Sequence, residues 1–177
     1  MSAINHRAME IGSSTKIVVI RHGRTMWNRC GILIGQRDIP LDAGGRQEAR
    51  MAVRSLQGID AIYSSPLARC KETASIIGDC LGLPVALLNG LSERNWGIFE
   101  GRPKLERDRS QNPEGGESTE EFRARVTETL PHIIGARPLL VTHSGVIRLL
   151  FAHPNAVIPH AEPIELPVEK MASFLRY

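Results

Sequence analysis

No hydrophobic run in this 177-residue chain approaches the ~20 apolar residues that a membrane-crossing helix needs. The opening stretch, MSAINHRAMEIGSST, has no apolar core of the kind a secretion signal carries. It reads as a flexible leader over residues 1–15, ahead of a single domain over residues 16–177. The expected location is therefore cytoplasmic. Cysteine is scarce and unpaired. Cys30, Cys70 and Cys80 make an odd count with no Cys-x-x-Cys, which argues against a disulfide framework and a zinc site. All three read as small packed residues. Lysine is scarce too: only Lys16, Lys71, Lys104 and Lys170 among 22 basic residues. The net charge of +3 is mild and no basic run exists, so a nucleic-acid partner is not indicated. The excess is arginine, whose planar fork suits phosphate and carboxylate.

Several catalytic signatures are missing as well. Cys30 and Arg37 are separated by six residues, so Cys-x5-Arg is not met. There is no Asp-x-Asp-x-Thr, no GxxxxGK[ST] and no HExxH. Thr142 and Val146 stand where a GxSxG elbow around Ser144 needs glycine.

What is present alternates between two periodicities. KIVVI, from Lys16, is a β-branched run expected to form a strand buried on both faces. From Asp42 the pattern turns helical, with Ala49, Ala52, Val53 and Leu56 on one face and Gly58 as the stop. Residues 59–65 read as a strand, followed by a helix with Pro66 as its first residue. Its apolar face is Leu67, Cys70, Ala74, Ile77 and Leu81. PVALL reads as a weaker strand and PLLVT, residues 138–142, as another. GVIRLLFAH reads as a short helix stopped by Pro154. Ser118 and Glu121 form a capping box before Phe122, Val126 and Leu130, and PIEL is a last strand. Strand–helix alternation predicts an α/β fold: a three-layer α/β/α arrangement with a mostly parallel central sheet. Such sheets bind ligands at the carboxyl ends of their strands.

Chemistry-bearing residues fall at those ends. Arg21 and His22 are expected just past the first strand, with Gly23 giving a ligand room to approach. His143 follows another strand. Arg69 falls in the first turn of a helix, and Glu93 and Arg94 lie in the loop LSERNWGIFEG. A neighbouring arginine disfavours imidazolium and keeps a histidine nucleophilic. Two arginines, two histidines and a carboxylate can position and neutralise a phosphoryl group and protonate a leaving alkoxide. A metal site of His22, His143 and Glu93 is the rival reading; adjacent arginines would repel a divalent cation.

RHGRTMWN, SSPLARCKETA, the Glu93 loop, GGES and VTHSGVIR together resemble the histidine phosphatase superfamily, the phosphoglycerate mutase-like proteins. The resemblance implies a phosphoglycerate mutase-like fold and a phosphohistidine formed at His22. Arg21, Arg69 and His143 would hold the phosphoryl group, with Asn28 as a further contact and Glu93 as proton donor; no metal or organic cofactor is implied. Arg94 and Gly23 complete the expected substrate contacts. The expected partner is a small phosphomonoester, with neither nucleic acid nor membrane expected, and a homodimer is allowed for.

The short segment from Gly101 to Gly115, the GIFEG loop and THSGVIR resemble the phosphatase branch. The expected activity is a metal-independent phosphomonoesterase of the phosphoric monoester hydrolase class. Glu93–Arg94 resembles the mutase pattern, so a phosphoglycerate mutase is the alternative, and a catalytically silent phospholigand-binding module a third. His132, His153 and His160 read as surface or loop residues. Trp27 and Trp96 read equally as pocket walls or as packing, and Arg24, Arg29 and Arg37 equally as an anion funnel or a solvated loop.

Overall fold

A computed structural model of the chain describes residues 16–108 and 110–166. The expected leader lies outside the described residues. Five strands form one sheet in the order β3-β2-β4-β1-β5. They are β1 (Ile17–Arg21), β2 (Ala61–Ser64), β3 (Val85–Leu87), β4 (Pro138–Thr142) and β5 (Pro163–Leu166). Pairings β1–β4, β2–β4 and β2–β3 are parallel, and β1–β5 is antiparallel.

The continuous apolar runs of β1 and β4 follow from burial on both faces. Ile17 and Val19 point to one side of the sheet, where they pack with Phe122 and Val126 of α4 (Thr119–Thr129) and Val146 and Ile147 of α5 (Ser144–Leu150). Val18 and Ile20 point to the other side. There they meet Ala52 of α2 (Ala43–Ala52) and Cys70, Ala74 and Ile77 of α3 (Ala68–Leu81), which follow the one-turn helix α1 (Met26–Arg29). Strand period two thus meets helix period 3.6 on two faces, producing the three layers. Each fully buried aliphatic side chain in these layers contributes roughly 1.5–3 kcal/mol. Among the described residues no helix is long and apolar enough to cross a membrane.

Several boundaries differ from expectation, each for a local reason. Arg21 belongs to β1 rather than lying beyond it, because it stays in register with Thr142 and its carbonyl accepts the Ala161 N–H at 2.9 Å. Pro66 does not open α3. Leu67 is extended at its N-cap, and Asp38 from a distant loop caps the helix by accepting the Ala68 N–H at 2.5 Å. The helix before Gly58 ends at Ala52 in a 3₁₀ turn, Val53–Ser55, although its apolar face continues to Leu56. The last helix stops at Leu150, where Ala152 turns to φ 54°, before Pro154 is reached. The Ser118–Glu121 capping box forms as expected. Cys70 is buried, but Cys30 and Cys80 are exposed, correcting their reading as packed residues.

Gly23 is needed for packing rather than for ligand room. A Cβ there would lie 2.3 Å from the Gly45 carbonyl oxygen, so α2 approaches the chain backbone to backbone. Gly23→Ala should therefore destabilise the fold by about 1–3 kcal/mol, as overpacking does elsewhere. A lowered urea midpoint checks this; an unchanged midpoint contradicts the close approach.

Candidate active site

β4 lies between β2 and β1, so their carboxyl ends deliver Ser65, His143 and His22 side by side. The His22 N–H donates to the Thr142 carbonyl at 3.0 Å, and the two imidazole centroids stand 5.2 Å apart. His22 is 3% exposed. Its Nδ1 lies 2.7 Å from the Gly23 carbonyl, and a carbonyl can only accept, so Nδ1 carries the proton. Nε2 is then a lone-pair nitrogen, and it accepts the Nε–H of Arg69 at 3.3 Å. Burial is the main reason the His22 pKa falls well below its ordinary value, with Arg69, His143 and Arg21 adding to it in that order. Burial outweighs the neighbouring arginine expected from the sequence, because the ring is enclosed by the rim of the sheet.

Arg69 is 1% exposed and meets no carboxylate in its hydrogen bonds. Its two amino groups donate to the carbonyls of Arg37 (2.8 Å) and Gly35 (2.6 Å). Carbonyl partners fix the fork but leave its positive charge uncompensated by an ion pair. Arg21 donates from Nη1 to the Ile158 carbonyl at 2.7 Å, and burial lowers its pKa to about 10. Its Nε–H is buried without an acceptor among the described residues, a donor that an anion's oxygen would satisfy. A cavity of about 140 Å³ opens here, walled by Arg21, His22, Asn28, Arg69 and Glu93, with Lys104, Arg107 and Arg148 at its sides. Arginine-rich walls give it the chemistry that suits an anion.

Two segments bring Glu93 to that wall. Its carboxylate accepts the N–H of Arg94 (3.0 Å) and of Gly145 at the start of α5 (3.1 Å). A Cβ at Gly145 would stand 2.0 Å from the carboxylate, which explains the glycine after Ser144. Arg125 of α4 holds the loop from behind. It pairs with Glu117 at 2.7 Å and donates to the carbonyls of Gly90, Ser92 and Glu93. The GGES segment packs backbone to backbone on this loop, since a Cβ on Gly116 would reach the Asn95 carbonyl at 2.6 Å.

The structure thus gathers Arg21, His22, Asn28, Arg69 and Glu93 around one cavity. His143 is completely buried and is not part of its wall; its Nε2 lies 2.9 Å from Ser65 Oγ and 3.3 Å from Cys70 Sγ. Its ring stands beside that of His22, the centroids 5.2 Å apart. Arg94 is not in that wall either. It is buried against Trp96, 4.5 Å from the ring centroid, and donates to the Glu117 carbonyl. Asn28 has a second task, because its Oδ1 accepts both Thr25 N–H and Oγ–H to cap α1, which leaves its amide N–H groups available. Trp96 lines the cavity and Trp27 does not, nor do Arg24, Arg29 and Arg37. Arg24 is engaged by Glu48. The metal-site donors do not converge. His22 is committed to Gly23 and Arg69, and His143 Nε2 faces Ser65 and Cys70. Burial pushes the Cys70 thiol up to about 12, so it stays protonated and unreactive.

Sequence reasoning missed His160, whose Nδ1 donates to the His22 carbonyl at 2.9 Å with the ring centroids 5.5 Å apart. It also missed Arg125, Arg148, Lys104 and Arg107. Of these only Arg148 carried a readable signal: it lies one helical turn beyond Ser144, on the face that meets the rim.

Fold and site together define an α/β protein with a histidine-centred anion pocket at the carboxyl edge of a mostly parallel sheet, a phosphoglycerate mutase-like architecture. The chain belongs to the histidine phosphatase superfamily (branch 1), whose family model matches residues 17–174. It is 34% identical to the probable phosphoglycerate mutase GpmB of Yersinia enterocolitica, over 83% of this chain and 78% of that protein. It is 38% identical to phosphoglycerate mutase-like protein 4 of Arabidopsis thaliana, over 80% of this chain and 72% of that one. Among solved structures, a phosphoglycerate mutase from Thermus thermophilus superposes with a TM-score of 0.75 at 29% identity, covering 85% of this chain and 92% of that one. Mycobacterial hydrolase 1 superposes with a TM-score of 0.72 at 27% identity, covering 78% and 79%.

Burial lowers the pKa of His22 and His143 well below 6.5, and that of His160 to about 4. Below an ordinary pKa of ~6.5 the unfolded chain takes up protons that the folded chain refuses, so unfolding is favoured as pH falls. Stability should decline from pH 6.5 toward 4, with these histidines adding no slope above 7. Urea midpoints at pH 7.5 and 5.0 test the sign; a midpoint that does not fall at pH 5.0 contradicts the buried neutral rings.

Proposed function

We propose that the protein is a metal-independent phosphomonoesterase that hydrolyses small phosphorylated metabolites through a phosphohistidine at His22. The observation that carries this reading is the tautomer. His22 presents a lone pair on Nε2, held against Arg69, at the wall of a cavity that also contains Arg21 and Glu93. The oxygens of the bound phosphoryl group accept hydrogen bonds from the guanidiniums of Arg21 and Arg69 and from the Asn28 amide N–H groups. At ~4 Å and an effective dielectric near 20, each such charge pair is worth ~4 kcal/mol. The Nε2 lone pair forms a bond to phosphorus as the bond to the leaving oxygen breaks, and Glu93 gives that oxygen its proton. A water then gives a proton to Glu93 and attacks phosphorus. The N–P electron pair returns to Nε2 and inorganic phosphate departs. His143 stands beside the ring at the end of β4, and His160 holds the His22 carbonyl.

The mutase reading draws on the similarity to phosphoglycerate mutases and on the Glu93–Arg94 pair. Hydrolysis is favoured by the slight cover. Between Gly101 and Gly115 the described residues contribute one 3₁₀ turn, Lys104–Glu106, pinned to the 31–33 strand-like segment by Leu33 N–H to Arg102 O. A mutase must keep water from its phosphohistidine.

With p-nitrophenyl phosphate in EDTA, His22→Ala should lose about 10³-fold or more of the activity, as removal of a nucleophile does. Equal rates for the two proteins sink the proposal. A base-stable, acid-labile phosphoryl adduct on His22 eliminates the silent binding module. 3-Phosphoglycerate yielding 2-phosphoglycerate rather than inorganic phosphate decides for the mutase. His160→Ala should lower kcat by about tenfold with KM little changed, because a displaced nucleophile loses alignment. His160→Asn, which keeps an N–H donor, should recover most of it; equal loss in both variants contradicts a positioning role.

A further inference from the structure

Arg69 and Glu93 reach the cavity from separate elements, one on α3 and the other on an irregular loop. The segment Gly35–Gln36–Arg37 touches both. Gly35 takes φ 56°, and a Cβ there would collide with the Glu100 carboxylate, so only glycine suits this turn. The carbonyls on either side of Gln36 hold one guanidinium. Gly35 accepts from Nη2 of Arg69 at 2.6 Å, and Arg37 accepts from Nη1 at 2.8 Å.

Gln36 itself holds the loop of Glu93. Its side-chain nitrogen donates to the Glu93 backbone carbonyl at 3.0 Å; a carbonyl can only accept, so this partner sets the orientation of the amide. Its backbone N–H donates to Glu100 Oε1 at 2.8 Å, and the same oxygen accepts the Trp96 N–H at 3.0 Å. One carboxylate oxygen therefore ties the 35–37 segment to the loop three residues beyond Glu93. Arg125 of α4 donates to the Glu93 carbonyl as well, at 3.2 Å. A carbonyl oxygen has two lone pairs, and here Gln36 and Arg125 occupy both. The backbone of Glu93 is thus clamped between α4 and the segment that holds Arg69, while the N–H groups of Arg94 and Gly145 aim its carboxylate.

We propose that Gln36 is a positioning residue that couples Arg69 to Glu93. It fixes the separation between the guanidinium that holds the phosphoryl group and the carboxyl that protonates the leaving oxygen. Gln36 is not part of the cavity wall and acts only through the Glu93 carbonyl. The proposal rests on the phosphatase reading for the acid role of Glu93, but not for the clamp itself. Its consequence is selective. Loss of the clamp displaces the acid and leaves the two carbonyls on Arg69 in place, so it penalises those esters whose leaving oxygen needs a proton.

Two esters separate the acid from the rest of the site. 4-Nitrophenolate departs as a stable anion, whereas the alkoxide of glycerol 2-phosphate needs a proton as its bond to phosphorus breaks. The readout is the ratio of kcat/KM for glycerol 2-phosphate to that for 4-nitrophenyl phosphate, since kcat/KM reports formation of the phosphohistidine. Glu93→Gln should lower the ratio by about 10²-fold, the scale of a positioned general acid. Gln36→Met, which keeps the size of the side chain and removes the donor, should lower it by about tenfold. A general loss of fold or of phosphate binding would move both esters alike and leave the ratio unchanged. In the double variant the ratio should stay at the Glu93→Gln value, because Gln36 acts through Glu93. An unchanged ratio in Gln36→Met, or a further tenfold fall in the double variant, overturns the coupling and leaves the phosphatase standing. Hydrogen exchange reads the clamp without turnover. The Arg94 and Gly145 N–H groups should exchange about tenfold faster in Gln36→Met, with Leu140 of β4 exchanging as in the native protein. Unchanged exchange at Arg94 and Gly145 overturns the clamp whether or not either ester is hydrolysed. Faster exchange there, in a protein that hydrolyses neither ester in its native form, overturns the phosphatase and leaves the clamp standing.

Discussion

A guanidinium with no ion-pair partner among its hydrogen bonds, buried to 1% exposure, donates its Nε–H to the ring of a buried histidine. That contact between Arg69 and His22 governs the site. It requires an unprotonated Nε2, and the Gly23 carbonyl at 2.7 Å requires a protonated Nδ1, so the ring has one tautomer and one orientation. Desolvation keeps the imidazole neutral where a solvated ring would be partly charged. Isolated burial of a cation is costly, and here Arg37 and Gly35 carbonyls hold the fork without neutralising it. The fold therefore maintains a positive, preorganised pocket.

Everything around this contact serves to fix its coordinates. The parallel β1–β4 pairing delivers His22 beside His143, and Asp38 caps α3 so that Arg69 enters from the first turn of that helix. Glu93 arrives on a loop without regular structure. Its rigidity is borrowed from Arg125, Glu117 and Gly145, and from glycines that let the GGES segment approach it. Loops that line a site in an α/β fold are positioned by rigid elements in this way.

The sequence was most legible where one periodicity dominated. The five strands, the apolar faces of α2, α3 and α4, and the Ser118 capping box follow from local patterns that tertiary packing did not override. Boundaries failed where a distant residue supplied the cap, as at α3, or where backbone register extended a strand through a charged residue, as at Arg21. Within the site, RHG, Arg69 and Glu93 were readable because they fall at element ends. His143 falls on the expected rim, and its Nε2 lies against Ser65 and Cys70, partners that no local pattern pointed to. Gly23 was assigned to a ligand, whereas its neighbour is Gly45.

The chain alone thus determined the alternation of strand and helix, the resulting three layers and the kind of chemistry at the carboxyl rim, because each depends on residue type and short spacing. Only the tertiary structure decided which groups share a cavity. His160 lies 138 residues from His22, and the Ile158 carbonyl that holds Arg21 lies 137 residues from it. No local pattern encodes a hydrogen bond across such a separation. The tautomer of His22 is likewise a product of packing, fixed by the Gly23 carbonyl on one ring nitrogen and the Arg69 guanidinium on the other.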